Sequence, residues 1–521
     1  MDMKKYLVLF LLFMPVLFFG FTIDNKTITE WSNPGADFIV PDSIKRISIL
    51  DFGGKADNST DNSVALQTAI KSLNGSFGVI EIPAGNYLFK KSISVPSDIL
   101  IKGNGSDKTI LNFNLNGRGD LFSFQGNSKS SSVPILSGTV KDSRSIKVNN
   151  AADFSVNDYV LIKQTTNSLL ASNWAYHYFF QIVKITKING KEIYFSSPLR
   201  MDFPAFNNPV IQKINPVKNA GIESLKIKRI DVTSEQTSNI FFNYAVNCWV
   251  KGVETENCNY AHITLQSSAN ITISGNYLHD AFDYGSGGKG YGVVLQFGAS
   301  NNFIFDNIAR HLRHSFLLQA EANGNVIAYN YSFEPYWKEG FFPVGSAGDL
   351  VLHGNYPYAN LFEGNIIQNL VIDDSHGMNG QNNTFFRNRI ENYGIVMNAN
   401  AGNDMNFIAN EITGSGLLKG LYMIEGIHTE IANNIKGSIQ NGIVSETSLI
   451  NKNYASKIGP PNLMNSWNND AFIRSNNTLK TFCSITETGK TKEVIQIKKK
   501  TEVVEKPVKK KKKTRKKTTT K

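Results

Sequence analysis

Cysteine is scarce in this chain of 521 residues: Cys248, Cys258 and Cys483 are the only three, which excludes a disulfide framework. Cys248 and Cys258 are close enough in sequence to pair across a turn, or else serve as buried apolar fillers. Long apolar runs are missing too. Nothing after residue 21 approaches eighteen consecutive apolar residues, so no later transmembrane helix is expected. Helical patterning is absent from residues 246–446, where no 3.6-residue apolar stripe is long enough for a helix, and this excludes helical solenoids. The body also lacks net charge. The formal charge is +11, yet residues 490–521 alone hold 15 Lys and Arg against 3 Glu, leaving −1 for everything before them. The basic tail is therefore a separate object with too little apolar content to fold, read as a solvating tail or as an electrostatic tether to anionic polymer or lipid. A near-neutral body without a binding motif argues against nucleic acid as a partner.

What is abundant is a repeat. Short apolar triplets ending in a polar residue recur as Ile263 to Gln266, Val293 to Gln296, Phe316 to Gln319, Leu350 to His353, Leu370 to Asp373 and Ile395 to Asn398. Between them runs a second series that closes on Asn276, Asn307, Asn330, Asn365, Asn388 and Asn410, spaced 31, 23, 35, 23 and 22 residues apart. A period of 22 to 23 residues, each copy holding short runs of period-two alternation, fits neither a propeller blade nor a leucine-rich repeat. The remaining architecture is an all-β solenoid, a parallel β-helix. In it the inward residues of each triplet stack on their equivalents, and a buried Asn at each corner satisfies turn backbone in a ladder.

The chain opens with Lys4 and Lys5 before an apolar run ending near Phe21, the pattern of a secretory signal over residues 1–21. No small-x-small cleavage site is evident, so an uncleaved membrane anchor is the alternative; apart from this segment and the basic tail, no membrane contact is expected. Then come Asp51-Phe52-Gly53-Gly54-Lys55-Ala56-Asp57, Thr60-Asp61-Asn62, a helical Val64 to Leu73, Gly78 to Tyr87, and Ile101-Lys102-Gly103-Asn104-Gly105. These motifs, in this order and spacing, resemble the N-terminal block of the pectate-lyase-like superfamily, which opens rhamnogalacturonase-like, epimerase-like and phage-tailspike β-helices. The resemblance implies a right-handed coil, in keeping with the crossover rule. Together with the signal pattern it gives the expectation of an exported protein, secreted, periplasmic or on the cell surface, that binds and cleaves a polysaccharide with acidic sugars, as monomer or homotrimer. Ala65, Leu66, Ala69 and Ile70 give the helix one apolar face to cap the open end of the stack, with Asp57 and Asp61 as turn and capping residues. The expected organisation is a signal over 1–21, cap and first coils over 45–127, a small β-rich insertion over 128–214, coils over 215–485, and the disordered tail over 486–521.

The insertion carries an aromatic loop from Trp174 to Phe180, which either packs on the solenoid or forms a sugar-stacking wall. Titratable residues concentrate between Leu278 and Gly377, where the two long insertions of the repeat also fall. If Leu352 and Ile372 point inward, His353 and Asp373 project outward on neighbouring coils, flanked by Gln319 and Asn398. Asp374 and His376 follow in the adjoining turn, with Arg313 and His314 on the rim one coil earlier. His279, His311 and His428 are read as structural.

Two reactions suit this cluster. Glycoside hydrolysis needs a protonated and an ionised carboxyl, for which Asp373 and Asp374 are candidates. The run Asp373-Asp374-Ser375-His376-Gly377 shares ingredients with polygalacturonase-like hydrolases, but its His-Gly follows at once instead of a coil later, so those roles are not carried over. Elimination from a uronate needs a cation to neutralise the carboxylate, a base and an acid. Arg313 suits the first, His314 or His353 the second, and Tyr336 or Tyr356 the third. Tyr336, Trp337, Tyr356 and Trp174 are candidate sugar platforms. No cofactor is required; Ca²⁺ on Asp373 and Asp374 is an option through hard oxygen ligands. A non-catalytic glycan-binding or adhesin-like protein is the alternative from another class, and it would leave these residues scattered on a flat face.

Overall fold

The computed structural model describes Gly20–Phe21 and residues 28–450, leaving out residues 32, 38–39, 41–43, 74, 129, 165–167, 177, 286, 341–346, 441, 445 and 447. The expected signal segment, Cys483, His177, Phe341 with Phe342, the last expected coils and the Lys-rich tail lie outside the described residues, apart from Gly20–Phe21 at the end of that expected segment.

Each coil turns through three short strands, and each strand pairs in parallel with its equivalent one coil away. One face is a sheet of 12 strands running from Lys45–Ser48 to Thr429–Ile431. The other two faces share a hydrogen-bonded network of 21 strands. The register anticipated from the triplets is present: Leu265 pairs with Leu295, Leu295 with Leu318, Leu318 with Leu352, Leu352 with Ile372, and Ile372 with Met397. These inward residues are sealed from solvent. The fold is thus a right-handed parallel β-helix, its core a column of aliphatic and aromatic layers. Phe362, Phe385 and Phe407 stack with centroids 4.8 and 5.0 Å apart, each contact adding about 1 kcal/mol beyond area burial.

Asparagine ladders hold the corners. Asn276, Asn307, Asn330, Asn365, Asn388, Asn410 and Asn433 each pass an Nδ2–H to the Oδ1 of the next, at 2.9 to 3.1 Å. The sequence reading stopped at Asn410; the ladder runs one coil further. A second ladder of Asn302, Asn325, Asn360 and Asn383 holds another corner. Period alone fixes such columns, because a side chain that repeats with the coil meets its own copy.

The helix Ser63–Ser72 buries Ala65, Leu66, Ala69 and Ile70 against the first coils. Asp61 Oδ1 accepts from the Ser63 amide at 3.0 Å, and Asp57 accepts from the amides of Ser59 and Thr60. Both carboxylates are structural. The insertion is a closed antiparallel barrel of six strands between Ser132 and Lys213. It leaves the solenoid without interrupting it, because the coils on either side pair directly: Leu100 meets Gly221, and Phe124 stacks on Phe242 at 4.3 Å. The barrel's core is continuous with the solenoid corner through Ala320, Tyr358 and Ala359. Cys248 and Cys258 are buried free thiols, fillers as in the second of the two readings.

Asn330 tests the ladder. Its Oδ1 accepts from the amide and Nδ2 of Asn307, and its Nδ2 donates to Ile304 O and Asn365 Oδ1. Asn330→Ala leaves buried partners unpaired and is expected to lower unfolding free energy by about 3 kcal/mol, read as a reduced urea midpoint at unchanged slope.

Candidate active site

The outward column that follows the triplets forms the floor of a groove. Gln319 Nε2 donates to Gln296 Oε1 at 2.8 Å, and Gln296 in turn reaches Gln266 at 3.4 Å. His353 and Asp373 continue the column on the next two coils. The groove has a cavity volume of about 840 Å³ and extends from Ser238 and Phe241 to His353, Ser375 and His376. Five coil steps separate its ends, about 24 Å at the strand spacing of a sheet. The inserted barrel builds one wall. Its Trp174 stands edge-on to Phe297 and to His376, with centroids 5.6 and 5.2 Å away. Tyr260, Tyr291 and Arg313 line the groove as well.

His353 Nδ1–H donates to Asp373 Oδ2 at 2.7 Å. The carboxylate accepts only, so this bond fixes the tautomer and leaves Nε2 as a lone pair. Burial works to raise the Asp373 carboxyl, but the hydrogen bonds from His353 and the Ser375 amide outweigh it and hold it below the ordinary range. Asp373 Oδ1 accepts from the Ser375 amide at 3.0 Å, which turns the chain so that His376 comes back over the groove. The His376 and His353 rings meet edge to face at 4.9 Å. Ser172, from the barrel loop, lies 3.2 Å from His376 Nδ1. Burial, then the neighbouring His353, push His376 below its usual pKa, so it is neutral at pH 7. Asn355 ties the loop down: its Oδ1 accepts from the amides of Ala171 and Ser172, both at 3.0 Å.

Other candidates sit differently from expectation. His314 is not on the rim but beneath it, 7% exposed, its Nδ1–H donating to Gly348 O at 2.6 Å. Burial, with Arg313 and His353 nearby, pushes it down to about 3. Arg313 is sandwiched between Trp337 and Tyr291, 4.8 and 5.7 Å from their ring centres, and donates to Gly285 O at 2.5 Å. Trp337 therefore supports a cation. Tyr336 stacks on His311 at 5.2 Å and does not line the groove. Tyr356 also lies outside it, packed against the barrel core near Phe179. Asp374 Oδ1 accepts from Asn398 Nδ2 at 2.8 Å, one coil beyond the dyad. Sequence reasoning missed Phe297, Tyr291, Ser172 and Asn355. Gln266 and Gln296 were legible in the column; Ser172 and Asn355 meet across 183 positions and left no signal.

At the position considered for calcium, Asp373 Oδ2 accepts from His353 and Oδ1 from the Ser375 amide. Among the described residues, Glu254, Glu256 and His279 have metal-like spacing. Lys226 Nζ fills the centre of that group, 2.8 Å from Glu254 and 2.5 Å from Glu256. His279 thus belongs to an ion network.

The architecture defines a class, the parallel β-helix proteins that carry a groove along the stack. More particularly, residues 46–186 match the family described as rhamnogalacturonase A/epimerase, pectate lyase-like, so this N-terminal part of the chain is similar to that family. It is 24% identical over 455 residues to the preneck appendage protein of Bacillus phage PZA, covering 82% of this chain and 51% of that one. It is 26% identical over 166 residues to a probable rhamnogalacturonase E of Aspergillus niger, covering 29% and 37%. The tailspike protein gp49 of Pseudomonas phage LKA1 superposes with a TM-score of 0.55 at 15% identity, covering 71% of this chain and 64% of that one. The chain spans about half the length of the phage relative, or less in the fungal case.

The buried imidazoles set a pH dependence. His314 and His262 are both pushed down to about 3, chiefly by burial, so between pH 6.5 and 3 the unfolded chain binds protons that the folded chain does not. Stability is fully present above pH 6.5 and falls as pH drops, by about 3 kcal/mol at pH 4 for each. Urea midpoints measured from pH 7 to pH 4 are expected to decline steeply, and His314→Gln to flatten the slope, whatever its midpoint at pH 7.

Proposed function

We propose that this chain binds an extended acidic polysaccharide in the groove and cleaves it by β-elimination outside the cell. The observation that carries this reading is the 2.7 Å bond from His353 to Asp373 at the groove floor. A base held in one tautomer by a buried carboxylate presents its Nε2 for proton abstraction. In the reaction, His353 Nε2 takes the C5 proton of a uronate and the C4–O bond breaks. A C4=C5 double bond forms. The departing oxygen takes its proton from solvent water, and neutral His376, with Ser172 at Nδ1, steadies that oxygen by a hydrogen bond from Nε2–H. Arg313 lies near enough to offset the sugar carboxylate, a role given to it by its position among groove-lining residues. Trp174 and Phe297 offer apolar faces to sugar C–H surfaces.

Hydrolysis is the weaker fit. It needs a second carboxyl kept protonated beside the first, and Asp373 is held ionised by its partner. Burial raises the carboxyls of Asp120, Asp349, Glu321 and Glu363. Of these only Asp120 lines the groove, at the end away from the dyad. The groove's length supports a polymer over a small molecule, and the printed names of the relatives, a rhamnogalacturonase and phage appendage or tailspike proteins, are compatible with a glycan partner.

A panel of uronate-containing and neutral polysaccharides, assayed for reducing ends and for ultraviolet absorbance of an unsaturated uronate, tests the proposal. Both signals are expected on an acidic polymer, and Asp373→Asn is expected to reduce the rate by about 10² to 10⁴. Reducing ends without absorbance would establish hydrolysis. Silence from wild type and variant alike, with binding retained, would make this a glycan-binding protein.

A further inference from the structure

A second cavity, of about 750 Å³, shares no lining residue with the groove. Three parts of the chain build it: the N-terminal strap from Glu30 to Asp37, one edge of the barrel, and a solenoid corner bearing Asn219, Asn247, Asn270 and Asn301. These four asparagines follow paired positions on successive coils and hold positive φ, between 53° and 56°, and Asn247 Nδ2 donates to Asn219 Oδ1 at 2.7 Å. Within the barrel's contribution, two polar atoms on residues more than nine-tenths buried, Ser197 Oγ and Arg200 Nε, are without partners among the described residues. Ser197 is 8% exposed and its Oγ makes no hydrogen bond. Arg200 is 1% exposed; its terminal nitrogens donate to Asn323, at 3.1 Å, and to Asn301, while Nε donates to nothing.

Charge adds a direction. Lys184, Lys218 and Arg200 line the cavity with Glu30, Asp37 and Asp158. Two of the three carboxylates are already neutralised from outside the lining, Glu30 by Arg144 and Asp158 by Lys213 at 2.7 Å. Lys184 and Lys218 form no ion pair among the described residues. The balance left inside is therefore cationic, with an orphaned hydroxyl and guanidinium edge beneath it and amides along one wall. Amides and a hydroxyl suit sugar hydroxyl groups; the lysines suit an anionic substituent.

We infer that this cavity is a second binding site, separate from the groove, for an acidic sugar unit. Lys184 and Lys218 meet the anionic group, and Ser197 with the asparagine column meets the ring hydroxyls. A chain holding its polymer at two places gains retention without any new contact at the cleaving site, through the effective concentration of the second segment.

The test uses the full chain with Asp373→Asn to prevent turnover, and trigalacturonate as the probe in titration calorimetry. Two sites are expected. Lys184→Ala with Lys218→Ala, or Ser197→Ala alone, should weaken one of them at least tenfold and leave the other intact. Trp174→Ala should do the reverse, so a failure of the groove reading would appear as loss of that site only. A stoichiometry of one that is insensitive to the cavity substitutions overturns the proposal. So does equal affinity for neutral galactotriose, which removes the anion's role. Displacement of the probe from the cavity by equimolar inorganic sulfate would reduce it to a simple anion site and overturn the sugar assignment.

Discussion

A coil of this solenoid turns corners inside its own core, and each corner directs backbone N–H and C=O groups away from water. Leaving them unpaired would cost about 1 to 3 kcal/mol apiece, repeated on every coil. The asparagine columns remove that cost. In the long ladder each Oδ1 accepts from the amide and the side chain of the preceding coil, and each Nδ2 donates to a carbonyl of that coil and to the next Asn. Every hydrogen-bonding position of the amide is used. Because each Asn completes its neighbour, the columns favour one register and penalise a slipped one, which would strand several amides at once.

Register is what makes the groove. His353 and Asp373 are 20 residues apart in the chain, yet the pairing of Leu352 with Ile372 sets the following residues side by side. The same pairing lines up Gln266, Gln296 and Gln319 ahead of them. A floor of this kind is straight and evenly spaced, so it suits a polymer. The walls come from departures from the repeat: the long turns of the solenoid, and the barrel that leaves between two directly paired coils. Asn355 and Gly377 receive the barrel loop, where a Cβ on Gly377, whose φ is 80°, would stand 2.6 Å from Ala171. Two polar sites then flank one rigid insertion, the groove on Trp174 and the second cavity on Lys184.

Burial sorts the imidazoles. Three rings, those of His314, His353 and His376, lie in sequence across the site, with centroids 6.1 and 4.9 Å apart. Three cations so close would repel, and the interior disfavours charge in any case. His314 gives its proton to a carbonyl and stays neutral, His376 is depressed, and the single carboxylate, Asp373, is directed at His353 alone. The middle ring is thereby singled out by its partner, while its neighbours shape the field around it.

The period, the triplets and the asparagines specified the winding, the inward residues, the corner ladder and the adjacency of His353 with Asp373. Each of these follows from a side chain meeting its own equivalent one coil away, a relation that spacing alone encodes. The capping helix was legible in the same way, from one apolar face. Depth was not. His314 and Arg313 read as rim residues, but Trp337 and Gly348 close over them, and those contacts come from loops whose path no repeat constrains. Nor could spacing show that Tyr356 turns toward the barrel, that Ser172 reaches His376 across 204 positions, or that Ser197 Oγ and Arg200 Nε are left without a partner among the described residues. Spacing along the chain settles which residues share a column; which of them face water is settled in three dimensions, by where an aperiodic insertion docks.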